Sequence, residues 1–182
     1  MEPAADRFRR LRAAFADKVS RVSDERWDDP SPCDEWTARE LVGHVVGTQA
    51  MFEQLVGRTL EPGPDAATDP LGAFLTATDQ VQAHLDDPAT AAVEFDGAFG
   101  RSTFATAVDG FLSFDLVVHG WDLARATGLD EHIDGADVAW VSASTEKMGD
   151  MLRSNGVCGP QVEVPDDASE QDKMLAFLGR RP

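Results

Sequence analysis

Basic residues are scarce in this chain. Its 182 residues include 16 Lys and Arg against 33 Asp and Glu, which gives a formal net charge of −17 at pH 7. Nucleic acids and anionic membrane surfaces are bound through positively charged patches, so this balance argues against both as partners. Because the acidic residues are spread through the sequence, their simplest role is to favour solubility.

Long apolar runs and cysteines are also few. No apolar run approaches the roughly 20 residues of a membrane-spanning helix. The first residues, Met-Glu-Pro-Ala-Ala-Asp, lack the basic start and apolar stretch of a signal peptide. The two cysteines, Cys33 and Cys158, form neither a Cys-x-x-Cys pair nor a disulfide framework. We therefore expect a cytoplasmic protein with free thiols.

Helical periodicity dominates the sequence. Apolar residues at three- and four-residue steps predict helices over about residues 6–22, 38–56, 70–85, 104–127 and 136–153, with a short last helix after Ser169. The expected boundary signals are a capping box of Thr37 with Glu40, an Asp69-Pro70 start and a stop at Gly128. Four main helices with short connections predict an all-α four-helix bundle, with the final helices on its end or side.

Two stretches are predicted to be extended. In residues 91–103, Val93 and Phe95 alternate with polar neighbours, and Asp96-Gly97 is typical of a hairpin turn. Residues 161–165 predict a short strand. The length of the chain suits a single domain spanning residues 1–182.

Three polar residues lie on helix faces that otherwise resemble core. Asp115 and His119 are four residues apart, so their side chains point the same way, and His44 lies on the inner face of another helix. Buried polar groups need partners, and helical bundles often bind metals through inward side chains. Two imidazoles and a carboxylate would leave a position for water or substrate. Zinc is the first choice on ligand type, with Fe(II), Ni(II) and Mn(II) as alternatives.

The residues alone leave other interpretations open. A histidine on an apolar helix face is more often a satisfied core residue than a ligand, and Asp115 could pair with an arginine. Asp122, one turn beyond His119, could orient an imidazole, contact substrate or replace Asp115 as ligand. The simplest role of Asp122 is a hydrogen bond to a neighbouring helix start. Cys33 precedes the second helix and could line the mouth of the bundle, but its simplest interpretation is a loop thiol without a role. Trp36 is most simply a packing residue.

Three segments resemble a known family. They read Pro-Ser-Pro-Cys-Asp-Glu-Trp-Thr at residues 30–37, Leu-Val-Gly-His at 41–44 and Val-His-Gly-Trp-Asp-Leu-Ala-Arg-Ala-Thr-Gly at 118–128. They are similar to the metal-binding domain of mycothiol-dependent maleylpyruvate isomerases, within the DinB-like superfamily of helical bundles. The ending at residues 176–180 resembles that of small actinobacterial members. The similarity covers nearly the whole chain and implies a DinB-like four-helix bundle.

The resemblance also implies a site and a chemistry. The family binds its metal through a histidine and, on a later helix, an acidic residue and a histidine four apart, which match His44, Asp115 and His119. Members often carry Glu at the position of Asp115, and the shorter side chain shifts the metal or admits water. The isomerase has a further C-terminal domain, so maleylpyruvate isomerisation is not carried over. Related bundles include thiol transferases that act with bacillithiol or mycothiol.

The expected function is a metal-dependent enzyme that uses a low-molecular-weight thiol for S-transfer or isomerisation. The implied thiol is mycothiol in an actinobacterial source, and its partner is an electrophilic small molecule. One alternative is a non-catalytic bundle that binds a metal or another ligand. A further alternative is metal-assisted hydrolysis with Asp122 as the candidate base. The sequence does not specify an oligomeric state, and a homodimer is compatible with it.

Overall fold

The structure is a computed structural model that describes residues 2–33, 36–97, 100–148, 151–154 and 158–182. The chain divides into two compact units, residues 1–131 and 132–182. All the candidate ligands lie in the first unit. Asp34 and Glu35, which belong to the first resembling segment, lie outside the described residues.

Four long helical rods form a bundle in the first unit. They are α1 (Ala4–Arg21), α2 (Ala38–Leu55), α3 (Pro70–Asp86) and a composite rod made of α5 (Phe104–Ala107), a π-helical segment (Val108–Ser113) and α6 (Phe114–Thr127). Helices α1 and α2 each pack against both α3 and α6. A 3-10 turn (Asp24–Arg26) and the one-turn α4 (Pro88–Ala91) lie in the connections. The predicted all-α, DinB-like fold class is confirmed.

Predicted boundary signals start and stop these helices. The Thr37 hydroxyl accepts a hydrogen bond from the Glu40 backbone N–H at 3.3 Å, and the Glu40 carboxylate accepts one from the Thr37 N–H at 2.8 Å. This confirms the capping box. Asp69 caps α3 by accepting from the Gly72 N–H at 2.8 Å. Gly128 ends α6 with a left-handed φ of 73°.

Helix α6 is the central element of the bundle. Every residue from Leu116 to Ala124 is buried. Apolar residues at three- and four-residue steps predict one buried face on this helix. The buried surface of α6 is wider than that, because its neighbours enclose the helix. A polar residue in this stretch lies in the interior whichever way it points.

A hairpin precedes the fourth rod. Strand β1 (Glu94–Gly97) pairs antiparallel with β2 (Gly100–Thr103). The prediction of a hairpin is confirmed, but its turn was misplaced: Asp96 and Gly97 lie within β1, opposite Arg101 and Gly100. The pairing between β1 and β2 therefore extends beyond the turn that was predicted. Gly100 has a left-handed φ of 95°, a conformation that favours glycine.

The second unit contains α7 (Gly135–Met148), α8 (Met151–Ser154) and α9 (Glu170–Phe177). The sequence predicts one long helix over about residues 136–153, and residues 149–150 of this range lie outside the described residues. Ser169 caps α9 as expected, accepting from the Asp172 N–H at 3.1 Å. The strand predicted at residues 161–165 is wrong: the Val162 N–H donates to the Ala176 carbonyl of α9 rather than to a strand. Within the described ranges, no helix is long and apolar enough to cross a membrane.

Replacing Thr37 by Ala removes the side-chain acceptor that starts α2. We expect the free energy of unfolding to fall by about 1 kcal/mol, because the N–H of Glu40 loses its partner. Chemical denaturation monitored by circular dichroism measures this change. Thr37→Ser keeps the hydroxyl and should stay close to wild type; an equal loss in both variants would contradict the capping role.

Candidate metal centre

The structure brings His44, Asp115 and His119 together inside the bundle. His44 lies on α2 and the other two on α6, which packs against α2. One ligand atom from each residue lies within 4.8 Å of the other two, so the three groups could hold one metal ion. The donor set of two imidazole nitrogens and one carboxylate oxygen suits a divalent cation with an open coordination position.

Trp36 forms one wall of this site. Its ring lies on that of His44, with centroids 4.4 Å apart and an interplanar angle of 31°. The rings of His44 and His119 meet edge to face at 5.2 Å and 78°. Trp36 is therefore more than a packing residue, since it restricts the orientation of the His44 ring. Its position just before the Thr37 cap is the signal that could have placed it near the start of α2.

Asp122 orients His119. Its Oδ2 lies 3.0 Å from Nδ1 of His119, and its side chain is completely buried. A carboxylate on one ring nitrogen of a histidine fixes the tautomer and leaves the other nitrogen available to a metal. Of the roles considered for Asp122, the structure shows the imidazole-orienting contact. The available ligand atom of His119 is then Nε2.

Cys33 lies beside His119 and Asp122, a contact that the sequence did not predict. Its Sγ lies 3.3 Å from Oδ2 of Asp122 and 3.9 Å from Nδ1 of His119. Cys33, His119 and Asp122 form a second group whose ligand atoms lie within 4.8 Å of one another. Pro30 and Thr37, on either side of Cys33 in the chain, form an antiparallel bridge. Only long-range folding brings a loop thiol onto α6, and the local sequence carries no signal for it.

The two histidines have opposite electrostatic environments. Burial lowers the pKa of His119, but hydrogen bonds to Asp122 and Cys33 and the charges of Asp115 and Asp122 outweigh it and raise the pKa to about 10. Burial, aided by the positive charge of His119, lowers the pKa of His44 to about 4. At neutral pH His44 is therefore neutral, as a ligand must be. His119 carries a proton that a bound cation would replace.

A π-helical segment ends two residues before Asp115. It spans Val108–Ser113, includes Gly110, and joins α5 to α6. π-helical turns inside helices are frequent at functional sites because they change the direction of the side chains around them. The buried Ser113 hydroxyl oxygen has no hydrogen-bond partner among the described residues. The sequence predicted one regular helix here, since helical periodicity does not distinguish α from π turns.

The fold and this cluster define an all-α bundle of the DinB-like class with candidate ligands on two of its helices. The family described as "Mycothiol maleylpyruvate isomerase N-terminal domain" matches residues 8–124, and the chain belongs to it. Two uncharacterised proteins from two strains of Mycobacterium tuberculosis are each 27% identical over 173 residues, covering 94% of this chain and 94% of their own length. No solved structure matches significantly.

The raised pKa of His119 can be measured by NMR of the histidine ring nitrogens in metal-free protein. We expect titration far above 6.5, and Asp122→Asn to bring the pKa of His119 down, because the carboxylate contact that raises it most is removed. A raised pKa stabilises the fold fully below pH 6.5, and this contribution is lost as the pH rises toward 10. Asp96→Asn, on the exposed hairpin, is the control. Titration of wild-type His119 at or below 6.5 would contradict the assignment.

Proposed function

We propose that this protein binds a divalent metal through His44, Asp115 and His119 and uses it in a reaction of a low-molecular-weight thiol. The observation that carries the proposal is the convergence of three donor groups from α2 and α6 within 4.8 Å. Zinc suits these ligands best, and nickel, iron and manganese accept similar sets. Membership of a family described by mycothiol supports a mycothiol-like thiol as the co-substrate.

The charges of the donor groups favour an anionic co-ligand. Two neutral imidazoles and one carboxylate leave a divalent cation with a net charge of +1. When bound, such a cation would favour the thiolate form of a coordinated thiol, which is the nucleophilic form. A second anion at the open position would therefore complete the neutralisation of the site. The thiol would react with an electrophilic small molecule by S-transfer or isomerisation.

Neighbouring residues set the orientation and the protonation of the two histidine ligands. Asp122 holds the imidazole of His119 through Nδ1 and leaves Nε2 for the metal. Trp36 covers one face of His44 and keeps that ring in place. His44 is already neutral, because burial and the charge of His119 lower its pKa to about 4. His119 would give up its proton to ligate an ion, so uptake of a metal would release acid.

Asp115 is the ligand with the shortest reach. Its side chain is half-buried in the first turn of α6, two residues after the π-helical segment ends. Asp115→Glu lengthens the carboxylate by one methylene and restores the residue that the family often carries. We expect this variant to retain the metal, with a changed affinity, because the donor type is unchanged.

Substitution of the ligands tests the metal. Wild type reconstituted with zinc and dialysed should contain about one ion per chain, and His44→Ala, Asp115→Asn and His119→Ala should bind it at least roughly 10- to 100-fold more weakly. Elemental analysis and calorimetric titration measure this. His132→Ala is the matched control, because His132 is exposed and belongs to the second unit. Unchanged binding in all three ligand variants would overturn the proposed site.

The thiol reaction is tested separately. Reconstituted protein is incubated with an electrophile, such as a chloro-dinitro-aromatic compound, with and without mycothiol. We expect protein-dependent consumption of the thiol that disappears in His44→Ala. Metal binding without any turnover favours the non-catalytic binding module. Turnover that is independent of added thiol favours hydrolysis.

A further inference from the structure

We infer that Cys33, Asp122 and His119 form a second ion position, for a thiophilic divalent cation, at the Nδ1 edge of the His119 ring. Nδ1 of His119 faces Cys33 and Asp122 at 3.9 and 3.0 Å. Nε2 is the ring nitrogen left for the first site. The inferred position lies beyond the proposed function, although its competition with the first ion rests on that function.

The separations between the three donor atoms fit a common ion. Zinc bonds of about 2.3 Å to sulfur and about 2.0–2.2 Å to nitrogen and oxygen, at tetrahedral angles, place two ligand atoms roughly 3.3–3.6 Å apart. The measured separations are 3.9 Å from Sγ to Nδ1, 3.3 Å from Sγ to Oδ2 and 3.0 Å from Nδ1 to Oδ2. The shortest of these separations lies slightly below the range expected for a common ion, and the longest lies slightly above it. As a hydrogen bond, in contrast, the thiol–imidazole contact is weak.

The charges of this group also suit a divalent cation. A thiolate and a carboxylate carry two negative charges, which neutralise the ion without any external ligand. Asp122 is fully buried and His119 is 7% exposed, so an ion there would be well desolvated. Cys33 is only half-buried and provides the side from which an ion enters. The first site, with one carboxylate, still requires an outside anion.

The shared imidazole makes the two positions exclusive. A neutral histidine ligates through one nitrogen and carries a proton on the other, so an ion on Nδ1 removes Nε2 from the first site. Sulfur ligands select soft ions. A thiophilic ion such as Cd²⁺ should therefore occupy the Cys33 position and displace the harder ion bound by His44 and Asp115. This position would make the protein sensitive to thiophilic metals.

Titration with Cd²⁺ alone tests the inference. Binding of Cd²⁺ to a thiolate produces an ultraviolet charge-transfer band that a nitrogen and oxygen site does not give. We expect the band in wild type and in His44→Ala, saturating at about one ion per chain. We expect it to vanish in Cys33→Ser and to require roughly 10- to 100-fold more Cd²⁺ in Asp122→Asn. Circular dichroism confirms that each variant is folded.

Cys158→Ser is the matched control, because Cys158 is the other free thiol and belongs to the second unit. The inference is overturned if wild type gives no band, or if the band survives in Cys33→Ser and is lost in Cys158→Ser. Zinc binding by Cys33→Ser reports on the first site alone. Loss of zinc binding in Cys33→Ser would overturn the proposed function. The Cd²⁺ band in His44→Ala reports on the second position alone.

Discussion

The burial of His119 in the centre of α6 is the constraint on which the site depends. Helix α6 is enclosed on nearly every side, so an imidazole in its middle cannot turn to solvent and must be satisfied inside the bundle. Asp122, one turn further, lies 3.0 Å from Nδ1, which leaves Nε2 as the ring nitrogen available to the other candidate ligands. His119 therefore belongs to two polar compartments of candidate ligands, one with His44 and Asp115 and one with Cys33 and Asp122.

The bundle determines which residues reach each compartment. Helix α2 packs on α6 and brings His44 into one compartment, while Cys33, which precedes α2 in the chain, belongs to the other. Cys33 and His44 lie on either side of the Thr37 capping box, which fixes where the loop ends and α2 begins. Trp36, next to the cap, covers His44. Local helix-start chemistry thus positions groups that act in the interior.

Much of the fold could be predicted from the sequence, because its determinants are local. Periodicity and capping residues locate the four rods, and the spacing of Asp115 and His119 puts them on one face. The errors have physical causes. The contact of Cys33 with α6 depends on loop folding that no periodicity records, and a π turn keeps the same apolar spacing as an α turn. The strand at residues 161–165 was wrong because Val162 donates to a helix carbonyl.

The two compartments differ in the charge they offer, and this difference bears on function. The His44 and Asp115 side supplies one negative charge, so an ion bound there would attract a further anion, such as the thiolate of the proposed function. The Cys33 and Asp122 side supplies two negative charges and needs no outside partner. An open, charged position is suited to chemistry, whereas a self-neutralised one is suited to retention of an ion. Because both draw on His119, the protonation and orientation of that one ring decide which compartment can bind an ion.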